Sequence, residues 1–519
     1  MIAPFNLPAR IIQLTLPPLS LKPRLRQLLL VVVLIILSLV IAWLPLPQII
    51  LLFGGAVFLT FLLIKPLLGL FLLIPLIPVS SLFAVSVGGV RVGLMETILI
   101  FGLVAWLLKV LTGHNIRPGQ DAPPHDQSFF PRKAVLLWPF LLFLGGVGLS
   151  WLKALSIGAS LVETIKWVEM LLLYLFVVAL LPVRHIKWVV GLILLTGMVQ
   201  AAVGLYQFIF KVGPEGFLLF DGRFLRAYGT FAQPNPYGGY LGLILPLALA
   251  LALWGLTNFQ LQIGTRAASK LITFMLFGLP FGLLLAALFA TQSRSAWLGF
   301  GAAAVVVLVL NSKKTAVVVA SFVLAGAIIA LVGTFDVEVV NINTTYGAVI
   351  QRLVDAASIL RITDISTIEV TDENFATIDR LAHWQAAREM WRDNLWLGIG
   401  FGNYAVVYPA YAVGRWLDPL GHAHNYLLNI GAETGLSGIL MYLIFWIFSF
   451  RVLWQAGRRN HGFERAVALG GLGIMVHLHI HNLFDNLYVQ GMYLHLAIIL
   501  AVVSVMYQDI QFEEETCQC

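Results

Sequence analysis

Residues 28–45 read LLLVVVLIILSLVIAWLP, a run with no charged residue. An α-helix rises about 1.5 Å per residue and a bilayer's hydrocarbon core is about 30 Å thick, so about 20 mostly apolar residues cross it. The same pattern recurs along the chain, over roughly 49–64, 66–84, 92–112, 134–152, 163–182 and 186–207. It continues over roughly 237–256, 271–291, 295–311, 315–333, 425–450, 465–483 and 490–507. Of the 519 residues 60% are hydrophobic and only 11% charged, against roughly 25% charged in an average soluble domain. A water-soluble core has no use for that much apolar surface. The sequence therefore predicts an all-α polytopic transmembrane helical bundle of about 10–14 helices. The range allows for the Pro-rich stretches 45–50 and 66–84, which suit re-entrant or interfacial segments.

The polar interruptions divide the chain into an N-terminal segment (1–27), a first group of helices (28–112) and a linker (113–133). A central group (134–333), a long, partly helical loop (334–424), a last group (425–507) and a tail (508–519) follow. Lys and Arg in short loops favour the cytoplasmic side. With both termini inside, 19 of the 32 basic residues fall on that side, among them Arg184, Lys187, Lys313, Lys314, Arg458, Arg459 and Arg465. The loop 334–424 falls outside and holds six Arg, no Lys and eleven Asp plus Glu. The net charge of +7 is thus explained by anchoring beside anionic lipid and requires no nucleic acid. Cys517 and Cys519, both in the acidic tail, give no sign of a structural disulfide.

Asp379 to Asn394 (DRLAHWQAAREMWRDN) places Leu381, Trp384, Ala387, Met390 and Trp391 at helical spacing, as an amphipathic helix on the membrane surface or over a cavity would. Gly398, Gly400 and Gly402 follow in LGIGFGNY. With no preceding strand they read as a flexible turn rather than a nucleotide loop.

Polar residues near membrane depth are functional candidates. Three sets fall on the predicted outer face: Arg226 in LRAYGTFAQPNPYGGYLG, Arg294 in TQSRSAWLG, and His422 and His424 in GHAHNYLLNIGAETGLSG. Each comes just before a helix that runs inward. Asn235 ahead of Pro236, Ser295 and Asn425 have the form of N-caps. Helix N-termini offer unpaired N–H groups and about half a positive charge. Two Arg forks beside three such ends suit a pyrophosphate, and a neighbouring His suits acid or base work.

The order of these motifs resembles a known family. HNYLLNIGAETG, read as His424, Asn425, nine residues and Gly435, looks like the signature of the O-antigen ligase and O-antigen polymerase superfamily. GTFAQPNPYGGYL, SRSAWLG and RLAHWQAAREMWRDNLWLGIGFGNY stand in that family's order, and the similarity covers roughly residues 130–505. The resemblance implies an inverting, metal-independent, cofactor-free glycosyltransferase in the bacterial inner membrane. Its donor would be a lipid-linked oligosaccharide on undecaprenyl pyrophosphate, and its acceptor a glycan or lipid A core hydroxyl at the periplasmic face. It assigns catalysis to His424 and pyrophosphate binding to Arg226 and Arg294. Asn425, His422, Arg380, His481 and Asp485 are further substrate-site or supporting candidates.

Simpler readings compete. Both arginines could snorkel to the interface, His424 could cap or face water, and Arg380 could sit on a solvated helix face. Glu163 and Lys166, three apart, read as an ion pair. His477, His479, His481, Asp485 and His495 could bind zinc by composition, but nothing in their spacing has the logic of an open metal site. The alternative function is an anion (bicarbonate-type) transporter, from a branch of the superfamily in which the His of the HN motif is missing. This chain has that His.

Overall fold

The computed structural model describes residues 31–32, 45–82, 84–87, 90–111, 134–219, 222–261, 274–333, 370–371 and 374–517. The N-terminal segment 1–27, the linker 113–133, most of the first span and residues 334–369 of the long loop lie outside the described residues. The chain falls into two units, Met1–Phe61 and Leu62–Cys519. The description of packing and of the site concerns the second.

The described helices in chain order are α1 (Leu46–Ile64), α2 (Leu67–Leu76), α3 (Leu94–Leu111), α4 (Leu137–Ser150), α5 (Ile157–Leu180) and α6 (Ile186–Phe210). Next come α7 (Pro234–Gly242), α8 (Leu245–Leu261), α9 (Leu279–Ala290), α10 (Arg294–Asn311) and α11 (Lys313–Gly333). The last are α12 (Phe375–Asp393), α13 (Tyr426–Arg459), α14 (Gly462–His481) and α15 (Met492–Cys517). Among the described residues, five stretches are long and apolar enough to cross a membrane: Leu94–Leu111, Val183–Phe210, Pro234–Thr257, Arg294–Asn311 and Tyr426–Arg459. Shorter apolar helices accompany them, and the architecture is the all-α polytopic bundle predicted.

The stretch 66–84 departs from a simple span. α2 has ten residues, about 15 Å of helix, contains Pro75, and passes into a 3₁₀ turn, Ile77–Leu82. Beyond it β1 (Ala84–Val87) and β2 (Val90–Gly93) pair antiparallel, with Val87 opposite Val90. The helical pattern hid this hairpin, although Gly88-Gly89 between two short apolar runs is a hairpin signal.

Within a bilayer, burial of apolar surface does not drive helices together, because lipid tails are equally apolar; close backbone approach and interlocked side chains do. α14 accordingly carries glycines where it meets its neighbours. A Cβ on Gly470 would lie 2.7 Å from the Leu247 backbone, and one on Gly473 would lie 2.7 Å from Pro246 and Val307 side-chain atoms. Elsewhere aromatic rings fill the space. Phe143 meets Trp167 at 4.5 Å and Phe140 meets Phe445 at 4.5 Å. Tyr488 lies against both Trp167 (5.0 Å) and Tyr426 (4.4 Å). This cluster, drawn from α4, α5, α13 and the turn before α15, lies directly under the start of α13.

α13 is broken at Gly435, whose φ of 65° and ψ of −165° belong to a region essentially reserved for glycine. There the amides of Leu436 and Ser437 donate to the carbonyls of Leu395 and Trp396 (2.7 and 3.2 Å), and the amides of Ile399 and Gly400 donate to the carbonyls of Ala432 and Glu433 (both 2.9 Å). The Gly398–Gly402 turn is thus docked onto the break. A Cβ on Gly398 would meet the Glu433 backbone at 2.3 Å, and one on Gly435 the Trp396 backbone at 2.4 Å. Gly435→Ala should therefore lower stability by about 2–4 kcal/mol, from φ/ψ strain plus the backbone clash. A fall of several degrees in the apparent Tm of the purified protein in detergent checks this; an unchanged Tm would contradict the interlock.

Candidate active site

The segment carrying His424 is held at every step. The His424 backbone is left-handed (φ 52°), its carbonyl accepts from Trp384 Nε1 at 3.3 Å, and Asn425 caps α13 by accepting from the Leu428 amide at 3.1 Å. Beside it, the Tyr426 amide donates to the Asn482 carbonyl at 2.7 Å. That bond ties the start of α13 to the end of α14, and hence to Asp485.

Three side chains converge here. His424 Nδ1 lies 3.8 Å and His422 Nε2 3.9 Å from Asp485 Oδ1, and the two imidazoles are 4.4 Å apart. These separations exceed hydrogen-bonding distance, so the three groups face one another without locking. Burial alone would push the Asp485 carboxyl up, but the His424 imidazole and the charges of His422 and His481 outweigh it and hold the carboxyl below its usual range. His422 is lowered to about 4, by burial first and then by its electrostatic coupling to the neighbouring His424 imidazole. Its Nδ1 accepts the His424 amide at 3.0 Å. The neutral ring therefore carries its proton on Nε2, aimed at Asp485.

The amphipathic helix forms as α12 and buries Leu381, Ala387 and Met390 as expected, but against α13 and the docked turn rather than lying only on a membrane surface. It brings in two groups that sequence reasoning missed. His383 is fully buried, with Nδ1 2.9 Å from Tyr404 Oη, its ring stacked on Tyr408 at 4.7 Å and lying 5.7 Å from His424. Burial, reinforced by the charge of His424, lowers His383 to about 4. Asp379, 3.7 Å from His383 Nε2, is raised by burial against the opposing charges of His424 and Arg380. The available signal was His383 itself, a polar residue three and four positions before Ala386 and Ala387 on the buried stripe. Arg380 is half-buried, donates to the Ala376 carbonyl at 3.2 Å, and bears electrostatically on His422.

The arginines approach from the neighbouring helix ends. Arg226 donates from Nε to the Thr291 carbonyl (3.0 Å) and from Nη2 to Asn235 Oδ1 (2.8 Å). Gln207 pins the following turn through the amides of Tyr228 and Gly229. Asn235 is consequently not the N-cap the sequence suggested: α7 starts at Pro234 after Gln233, and the Asn235 side chain holds Arg226 instead. Arg294 is the first residue of α10, and the residue at its cap is Ser293, not Ser295. Ser295 Oγ instead lies 3.3 Å from His481 Nε2. That contact joins the N-terminus of α10 to the helix end preceding Asp485. The structure thus gathers His422, His424, Asp485, His481 and Arg380, and links Arg294 to them through Ser295.

The other histidines disperse. His479 Nδ1 lies 2.7 Å from the Met475 carbonyl, and its ring packs edge-on against Trp446. His495 Nε2 lies 3.2 Å from the Leu243 carbonyl. His477 is enclosed by Gly242 and Gly299, either of which would collide with it if it carried a Cβ. Glu163 and Lys166 form the expected ion pair, at 2.6 Å. Among the described residues, the set whose donor atoms lie close enough for a metal ion is His422, His424 and Asp485, within 4.8 Å of one another. His422 fits that role poorly, because one ring nitrogen already accepts a backbone N–H and the other must then present N–H rather than a lone pair.

Residues 279–443 match a protein-family model described as O-antigen ligase. The matched stretch runs from the start of α9 into α13 and takes in Arg294, Arg380, His422, His424 and Asn425; Arg226, His481 and Asp485 lie outside it. No curated protein matches the chain. The family match, the polytopic helical fold and the order of the motifs agree: the chain is an integral membrane protein whose residues 279–443 are similar to the O-antigen ligase domain.

Proposed function

We propose that the chain is an inverting glycosyltransferase of the bacterial inner membrane, moving a glycan from a polyprenyl-pyrophosphate carrier to an acceptor hydroxyl at the periplasmic face. The acceptor would be a lipid A core or another glycan. The observation that carries this reading is the placement of His424, 3.8 Å from a carboxylate held in its charged form and at the start of α13. Asp485 facing Nδ1 favours the tautomer protonated there, which leaves the Nε2 lone pair for the acceptor.

In the proposed step the acceptor hydroxyl gives its proton to His424 Nε2 while its oxygen forms a bond to the anomeric carbon. The bond from that carbon to the pyrophosphate oxygen breaks on the opposite side, inverting the configuration. The departing pyrophosphate gains charge, which Arg226, Arg294 and the N-terminus of α10 are suited to accept. Thr291 and Asn235 fix the Arg226 fork in advance, so little reorganisation remains at the moment of transfer. The hydrogen bonding of His422 favours acid–base chemistry without a metal. The basic residues at the far helix ends, such as Arg465 on the Leu310 and Asn311 carbonyls, support the cytoplasmic placement of that end. No observation favours the anion-transporter reading over this one.

Purified protein given a lipid-pyrophosphate oligosaccharide and candidate acceptors tests the reading. His424→Asn is the preferred variant, because Asn tolerates a left-handed backbone that would strain Ala. Transfer should fall roughly 10²–10⁴-fold, and full transfer would remove His424 from the mechanism. Anion uptake into liposomes with no transfer would favour the carrier. Asp485→Asn should lower kcat by at least about 10²-fold with little change in donor KM. Arg294→Lys keeps the charge but loses the fork, and should reduce kcat/KM for the donor by roughly tenfold or more; an unchanged value would argue that Arg294 only snorkels.

A further inference from the structure

At the end of the bundle opposite His424, the N-terminal ends of α6 and α14, the C-terminal part of α8 and the start of α9 enclose a cavity of about 760 Å³. That volume lies within the roughly 300–1,000 Å³ of small-molecule sites. Opposition follows from the helices themselves. α14 runs from Phe463 and Glu464 at the cavity to His481 at the active site, and α9 runs from Pro280 at the cavity to Ala290, next to Thr291, which holds Arg226.

The walls are apolar, with Leu194, Leu251, Trp254 and Leu276 among them, and the cavity opens sideways past Leu195 and Leu276, which are 55% and 58% exposed. Its lining carries two exposed cations, Arg184 and Lys187, and one half-buried carboxylate, Glu464, which leaves a net positive charge. Neither cation forms an ion pair with another described residue; Lys187 lies 5.5 Å from the Trp188 ring.

An apolar groove whose two exposed cations outnumber its one carboxylate suits a molecule with an apolar chain and an anionic head. A soluble anion would leave the groove unused, and a zwitterionic lipid would answer the cations poorly. We propose that this cavity is a binding site for an anionic glycerophospholipid, with an acyl chain along the groove and the phosphate between Arg184 and Lys187. The site stands apart from the transfer chemistry and does not depend on it.

Native mass spectrometry of the full chain in detergent, with added phosphatidylglycerol or phosphatidylcholine, tests the proposal. The intact protein should retain phosphatidylglycerol in preference. The double variant Arg184→Gln, Lys187→Gln should weaken that binding roughly 25-fold, at about fivefold per cation. Gly191→Trp fills the groove: Gly191 lines it and has open space where a Cβ would project, so the variant should lose both lipids without a packing clash. Unchanged elution volume and helical circular dichroism establish that the variants are folded. Equal retention of the two lipids by the intact protein would overturn the proposal, as would undiminished phosphatidylglycerol on either variant. Glycerol 3-phosphate binding as tightly as the lipid would reduce the site to a phosphate site, and preferential displacement by polyprenyl phosphate would assign it to the carrier; both outcomes reject the glycerophospholipid.

Discussion

The exchange of backbone hydrogen bonds between residues 395–400 and the break in α13 is the constraint from which the rest of the candidate site follows. A helix entering a bilayer must find partners for its first amides. Here the amides of Leu436 and Ser437 find them in the Leu395 and Trp396 carbonyls, while carbonyls just before the break accept from Ile399 and Gly400. Glu433 adds its carboxyl group, whose Oε1 accepts the Tyr404 amide at 3.0 Å from a buried position. Leaving that group unpaired would cost several kcal/mol at membrane depth, so each partner secures the other. One end of this interlock leads to Tyr404 and through it to His383; the other leads to Asn425 and His424. The geometry of the histidines is inherited from backbone bonding between two segments about 30 residues apart.

The same logic separates the roles of the polar residues. His477 sits in a glycine-lined socket and Glu163 is paired with Lys166, so packing and neutralisation account for both. Asp485 is different. Its Oδ1 accepts the Asn486 amide at 2.9 Å and faces two imidazoles at distances too long for hydrogen bonds. A purely structural carboxylate would close on one of them. Apo catalytic groups are often held at such separations and tighten around substrate, and His424, with neither ring nitrogen in a hydrogen bond, has the matching half of that arrangement.

How much of this the sequence disclosed depended on the kind of signal. Hydropathy revealed the helices, because the bilayer imposes a length and a composition that survive any detail of packing. The motif around His424 named the central residue, and Asn425 caps as its position suggested. Local capping rules failed at Asn235 and Ser295 for one reason: each side chain had a stronger partner far along the chain, Arg226 in one case and His481 in the other. The glycine turn was misread because its glycines serve close approach to Glu433 and to the start of α5, where Gly400 and Gly402 face Ala154 and Ala159. Nothing local to LGIGFGNY announces such a neighbour. His383 was passed over because its significance lies in what folds over it.

These long-range partners bear on the chemistry itself. Arg226 comes from the turn ahead of α7, Arg294 from the start of α10, His424 from the start of α13 and Asp485 from the turn after α14. Arg226 is held by the Thr291 carbonyl, and the His424 carbonyl accepts from Trp384 of α12, so distant segments fix both. A pyrophosphate leaving group needs positive charge on one side of the reacting carbon and a base on the other, with water kept from competing. Four elements meeting at one end of a bundle can surround a substrate in that way, and a single loop cannot. Helix α12 lies beside the cluster, with His383 stacked on Tyr408 and its ring 5.7 Å from that of His424. The buried His383 packs α12 beside His424, and burial holds its own ring at about 4. His422 is lowered to about 4 as well. Burial thus keeps His383 and His422 neutral near neutral pH, so neither competes for a proton beside His424, the imidazole that the proposed transfer requires.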